Sequence, residues 1–146
     1  MSATPDTPAR LLCFDFGTRQ IGVAAGQTVS GTAQPLAVLR ARDGQPQWEE
    51  VARLVAQWQP QRLLVGLPLN MDGTESELCA RARRFAGRLH ARTGKPVTLV
   101  DERLSTAEAK LGCAEDRKTR RHPVDALAAA LILRTWLAEP GVGRDL

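Results

Sequence analysis

With 146 residues, 43% of them hydrophobic and 25% charged, the chain has the size and balance of one globular domain that buries a core without staples. Its three cysteines, Cys13, Cys79 and Cys113, stand far apart with no CxxC pair or Cys/His cluster, which argues against a disulfide framework and a zinc site. No apolar run approaches a membrane span and Met1–Arg10 lacks the apolar core of a signal peptide, so a cytoplasmic location without membrane contact is expected, and the net charge of +4 favours polyanionic partners.

In chain order, residues 1–10 read as a disordered leader, 11–139 as the folded domain and 140–146 as a tail. Residues 11–16 are a buried strand that ends on a lone carboxylate, Asp15. The link Gly17-Thr18-Arg19-Gln20 leads into a second strand, Ile21 to Gln27. Its small residues Gly22, Ala24, Ala25 and Gly26 let neighbours approach closely. Pro35 to Arg40 reads as a third, outer strand with the proline at its start. After the breaker cluster Asp43-Gly44-Gln45-Pro46, the spacing of Trp48, Val51, Ala52, Val55 and Trp58 predicts an amphipathic helix over 47–58. Arg62 to Leu67 is nearly all apolar, as in a parallel strand covered on both faces. A loop from Gly66 to Thr74 follows, in which Asn70 or Thr74 is placed to meet a phosphate. Thr74 and Glu77 have capping-box spacing for a helix that runs to about Thr93. Val97 to Val100 is a fifth strand ending in Asp101-Glu102-Arg103. Ser105 and Glu108 form a second capping box, residues 112–122 a charged loop, and Val124 to Ala138 a strong last helix. Three antiparallel strands, then two strands reached through helices, predict an α/β fold with a five-stranded mixed sheet and helices on both faces. That matches the ribonuclease-H-like architecture.

Charge is unevenly placed. Twelve of the twenty Lys/Arg residues fall between Arg81 and Arg121, against five acids. Such a stripe attracts nucleic acid. Arg84 and Arg88 on the helix, and Arg117, Lys118, Arg120 and Arg121 in the loop, are its candidate contacts, and Arg19 in the first turn suits phosphate geometry. Aromatic residues make up only 4% and tyrosine is absent, which argues against a base-stacking platform. Binding is expected to rest on phosphates and on shape.

A carboxylate in an apolar strand is costly unless hydrogen bonds or a cation compensate it. In the expected sheet the first and fifth strands run parallel with one strand between them, and sites of open α/β sheets lie at the C-terminal ends of such strands. Asp15 and the pair Asp101/Glu102 fall there. Asp125, in the first turn of the last helix, reaches the same edge if the helix crosses the sheet. Clustered carboxylates repel one another unless cations intervene, and hard cations such as Mg²⁺ prefer oxygen ligands. Asp15, Glu102 and Asp125 are therefore the expected ligands of Mg²⁺ or Mn²⁺. Two such ions about 4 Å apart activate a water for phosphodiester hydrolysis. Glu102 is preferred over Asp101 because its longer side chain reaches across the intervening strand, and Asp101 is kept as its substitute.

Together these motifs resemble the YqgF family, also called RuvX or Holliday-junction-resolvase-like and described as pre-16S rRNA nucleases. The matching stretches are Asp15-Phe16-Gly17-Thr18-Arg19-Gln20-Ile21-Gly22-Val23-Ala24, residues Val65 to Thr74, Asp101-Glu102-Arg103-Leu104-Ser105-Thr106 and Val124-Asp125-Ala126-Leu127-Ala128-Ala129. The resemblance implies a ribonuclease-H-like fold and a metal-dependent nuclease maturing the 5′ end of pre-16S rRNA in a pre-ribosomal particle. Asp15, Asp101/Glu102 and Asp125 fall on the family's acidic positions. The loop before the last helix departs from the family's longer, lysine-bearing form. In it, His122 is read as an ordinary loop or capping histidine in preference to a proton shuttle. The alternatives are a resolvase-like nuclease acting on branched DNA, a nucleotide-binding ATPase module, for which one lobe is too few, and a non-catalytic RNA-binding assembly factor.

Overall fold

Strands Arg10–Asp15 (β1), Arg62–Leu67 (β5) and Val97–Asp101 (β6) are apolar over nearly their whole length, and they lie side by side and parallel in the middle of one sheet. Burial on both faces is what such continuous apolar runs require. A computed structural model describes residues 9–69, 72–102, 124–139 and 143–146 of the chain. β1 also pairs antiparallel with Gln20–Gln27 (β2), which pairs with Thr32–Arg42 (β3). The short Gln45–Pro46 (β4) lies on β3 at one edge, and Gly143–Asp145 (β7) lies antiparallel on β6 at the other. The order is β4-β3-β2-β1-β5-β6-β7.

Period-two alternation splits the core into two layers. Leu12, Phe14, Phe16, Leu63, Val65 and Leu67 face one side with the helices Trp48–Trp58 (α1) and Glu77–Thr93 (α2). There Phe85 of α2 meets Phe14 edge-on at 5.8 Å and stacks on Trp48 at 5.7 Å. On the other side Leu11, Cys13, Leu64 and Val100 meet Ala129, Ala130, Ile132 and Leu133 of the helix Val124–Ala138 (α3). The alternation α1 and α2 below, α3 above makes the expected three layers.

Four expectations change in detail. The described sheet has seven strands, because β4 and β7 join the expected five. β7 comes from the stretch expected to be tail. It needs no apolar side chains, since backbone pairing holds it and Asp145 accepts from Thr98 Oγ1 at 3.0 Å and Arg62 Nη1 at 2.9 Å. Pro35 lies inside β3 rather than at its start. It pairs with Ala24 where the register shifts between Val23 and Ala24, and such an irregularity tolerates the missing N–H. α2 is capped by Ser76, whose hydroxyl accepts from Cys79 N at 3.3 Å, and not by Thr74. Thr74 is held by Asp72, through both its N–H (2.9 Å) and its hydroxyl (2.6 Å), so the helix starts two residues later. The short Ser105–Glu108 helix and the 112–122 loop lie outside the described residues. No described helix is long and apolar enough to cross a membrane.

Candidate active site

Asp15 is the last residue of β1, and Glu102 follows the last residue of β6. Alternation from Leu11 and Cys13 carries Asp15 to the α3 face, and alternation from Val100 carries Glu102 to the same face. Between them lies β5, and at the matching level of β5 stands Gly66, paired with Val100. The missing side chain there is the condition for contact. A Cβ on Gly66 would meet Glu102 Oε1 at 2.7 Å, Glu102 Cγ at 3.0 Å and Ile132 Cδ1 of α3 at 2.6 Å. Glu102 thus lies over the glycine, beneath α3, and its carboxyl hydrogen-bonds that of Asp15 across the strand.

The electrostatics follow from this placement. Burial first, then the hydrogen bond to Asp15, then the charges of Asp15 and Asp101, push Glu102 up to about 8. Near neutral pH the pair retains a proton. The buried Cys13 thiol beneath them is raised well above its ordinary value, mainly by burial and further by Asp15 and Glu102. It is a small core residue facing the acids, not a thiolate. Cys13 and Cys79 are both free and buried, and Cys113 lies outside the described residues.

Of the expected site residues, Asp15 and Glu102 are brought together. Asp101, at the end of β6, acts on Glu102 through its charge. Asp125 lies in the first turn of α3, seven residues before Ile132, a spacing that returns to the same helix face after two turns. Its side chain falls outside the described ones. Among the described residues, no group of three or more His, Cys, Asp and Glu side chains is arranged to hold a metal ion. Arg19 is exposed in the β1–β2 turn, at the same end of the sheet. That turn also requires its glycine, because a Cβ on Gly17 would collide with the carbonyl oxygen of Gln20. Arg84 and Arg88 are exposed on α2, on the opposite side of the sheet from the acid pair. Asn70, Arg117, Lys118, Arg120, Arg121 and His122 lie outside the described residues. Sequence reasoning missed Gly66 as the seat of Glu102. The available signal was a single glycine inside the otherwise bulky run Leu63-Leu64-Val65-Gly66-Leu67, where a strand glycine marks a close approach.

Comparison with known proteins agrees with this architecture. Solved structures described as "T. thermophilus RuvC in complex with Holliday junction substrate" and "Thermus thermophilus RuvC structure" superpose with TM-scores of 0.59 and 0.60, at 16% and 15% identity, over 94% of this chain and 99% of theirs. They share the ribonuclease-H-like fold. Proteins named "Putative pre-16S rRNA nuclease" are much closer in sequence. The one from Azotobacter vinelandii is 57% identical over 139 residues, covering 93% of this chain and 98% of its own, and the one from Marinobacter nauticus is 58% identical over 133 residues, covering 89% and 93%. A counterpart from Salmonella arizonae is 52% identical over 132 residues, covering 88% and 96%. The model of one family, described as "RuvX: Holliday junction resolvase", matches residues 9–139, and the chain belongs to that family.

Proposed function

We propose that the chain is a divalent-metal-dependent endonuclease that hydrolyses phosphodiester bonds of structured RNA, and that its substrate is the 5′ region of pre-16S rRNA within a pre-ribosomal particle in the cytoplasm. The observation that carries this reading is the Asp15–Glu102 pair, held across Gly66 at the C-terminal ends of parallel strands. The relatives named as pre-16S rRNA nucleases point to RNA, and the family description points to nucleic-acid cleavage.

The donor set fits a hard cation. Burial, and then the neighbouring Asp15 carboxyl, keep a proton on the pair near neutral pH, and a hard cation held by these oxygens would take the place of that proton. Asp15 and Glu102 would hold Mg²⁺ or Mn²⁺, with Asp125 as the third ligand and Asp101 in reserve. When bound, a pair of such ions supplies an activated water and stabilises the leaving oxygen. The chain's own residues do the rest. Asp15 and Glu102 release their retained proton. The Gly17 turn lets a phosphate backbone approach the carboxylates. Arg19 orients a phosphate beside them, and Arg117, Lys118, Arg120 and Arg121 hold the polyanion.

A second reading, cleavage of branched DNA, is favoured by the family description and by the fold shared with the RuvC structures. One assay separates them. A 5′-extended small-subunit rRNA fragment and a four-way DNA junction are incubated with Mg²⁺, with Mn²⁺ or with EDTA, using wild type, Asp15→Asn and Asp125→Asn. We expect cleavage of the RNA, loss of it in EDTA, and a decrease of about 100-fold or more in each variant, about 2.7 kcal/mol in barrier. Equal cleavage by all three proteins sinks the site. Cleavage of the junction alone selects the second reading.

A further inference from the structure

The acid pair does not use a second concave surface on the other side of the same strand end. A cavity of about 280 Å³ lies between α2 and the turn joining β3 to β4, lined among others by Phe16, Asp43, Glu77, Arg81, Arg84 and Arg88. The three arginines follow the helical spacing that returns side chains to one face. They are not equivalent. Arg81 is occupied, with Nη1 at 3.0 Å from Asp43 Oδ1 and Nε at 3.9 Å from Glu77 Oε1, so the two carboxylates of the cavity wall are both engaged by one guanidinium. Arg84 and Arg88 have no hydrogen bond or ion pair with any described residue. Two like charges one helical turn apart repel each other, and an anion between them removes that repulsion.

The location gives the cavity its meaning. Phe16 belongs to the cavity wall, and Asp15 belongs to the acid pair. They are consecutive residues, with Cα atoms about 3.8 Å apart. Because successive side chains point to opposite faces, Asp15 faces α3 and Phe16 faces α2. A polyanion laid over the tip of β1 at Gly17 therefore meets the carboxylates on one face and the guanidinium groups of Arg84 and Arg88 on the other. Phe16 is only 7% exposed, so it offers no ring for a base to stack on. Arg84 and Arg88 offer the cavity's contact to phosphate.

We propose that this cavity is a phosphate seat for the substrate strand: Arg84 and Arg88 hold one backbone phosphodiester of a nucleic acid that crosses the β1 tip away from the acid pair. The proposal rests on the nucleic-acid-binding part of the proposed function, since a strand lying at Asp15 brings a further phosphate to this face. Recognition here is independent of base sequence. Arg81, tied to Asp43 and Glu77, is a wall and not a ligand.

The test separates the seat from the chemistry. Binding of a fluorescent hairpin RNA with a single-stranded 5′ extension is measured over a salt series in the Asp15→Asn background. Each phosphate contact contributes about 0.7–0.9 to the slope of log K against log salt. Adding Arg84→Gln and Arg88→Gln is expected to lower the slope by that amount, and Arg84→Lys with Arg88→Lys to keep it. Arg10→Gln with Arg53→Gln removes the same charge elsewhere and is expected to leave the slope unchanged. An unchanged slope in the Arg84/Arg88 variant, or an equal decrease in the Arg10/Arg53 control, overturns the seat. Cleavage by the wild-type chain is scored on the same RNA. If cleavage is absent while the slope contrast persists, the seat stands and the nuclease reading falls. If cleavage occurs without the contrast, the seat alone falls.

Discussion

A methyl group at position 66 has nowhere to go. Gly66→Ala places a Cβ 2.7 Å from Glu102 Oε1 and 2.6 Å from Ile132 Cδ1, so either the acid or α3 must move. Overpacking of this kind costs about 1–3 kcal/mol of stability. We expect that loss in urea unfolding, together with a decrease in cleavage of about tenfold or more, because the displaced carboxyl no longer reaches Asp15. Stability lost without any loss of cleavage would show that Glu102 does not act from its observed position. At this scale the sequence was partly legible. Asp15 stood out as an acid in an apolar strand, and the length of Glu102 already argued for its reach across the neighbouring strand. The alternation from Val100 to Glu102 places Glu102 on the α3 face, but a strand that stops at Asp101 leaves that alternation unreadable without its register. Gly66 was not legible as the seat of Glu102, because only pairing with Val100 puts it beneath that side chain.

Among the elements, α2 has one side on the sheet and the other on the cavity. Its apolar side, Cys79, Ala82, Phe85, Ala86 and Leu89, is fixed on the sheet, and its basic side lines the cavity. Ser76→Ala removes the hydroxyl that accepts from Cys79 N and is expected to cost about 1 kcal/mol by urea denaturation, while Thr74→Ala leaves the helix cap intact. An equal effect of both substitutions would restore the cap to Thr74. The capping-box spacing of Thr74 and Glu77 does not show that Asp72 holds Thr74 and leaves the cap to Ser76. The long apolar strands and α3 were legible because their patterns persist over many residues. β7 was not, because Gly143-Arg144-Asp145 has no hydrophobic period and is held by backbone pairing and by Arg62 and Thr98.

For the whole molecule, the retained proton links stability to pH and, through the proposed metal site, to divalent ions. Glu102 in the folded chain titrates near 8, above its ordinary value of 4.5, so the folded state binds more protons than the unfolded state between those values. This contribution is complete below about pH 4.5 and is lost as pH rises to about 8, on the order of a few kcal/mol in the metal-free chain. Glu102→Gln is expected to flatten the decrease in Tm over that interval. At the proposed site Mg²⁺ would compete with the same proton, so its stabilising effect on wild type is expected to be larger at pH 8.5 than at pH 6 and to vanish in Asp15→Asn. A metal effect independent of pH would count against a shared proton and cation site. The parallel order β1-β5-β6 has one more consequence, in time rather than in space. Asp15 is synthesised early and Glu102 late, and their contact also needs Gly66 between them and Ile132 above. A chain still emerging from the ribosome therefore carries the first carboxylate without its partner. Non-local strand pairings of this kind form only when the intervening loops have closed. The cutting edge of this protein would thus come into being only once α3 has been made and packed on the sheet, and a fragment that stops before α3 would leave RNA untouched.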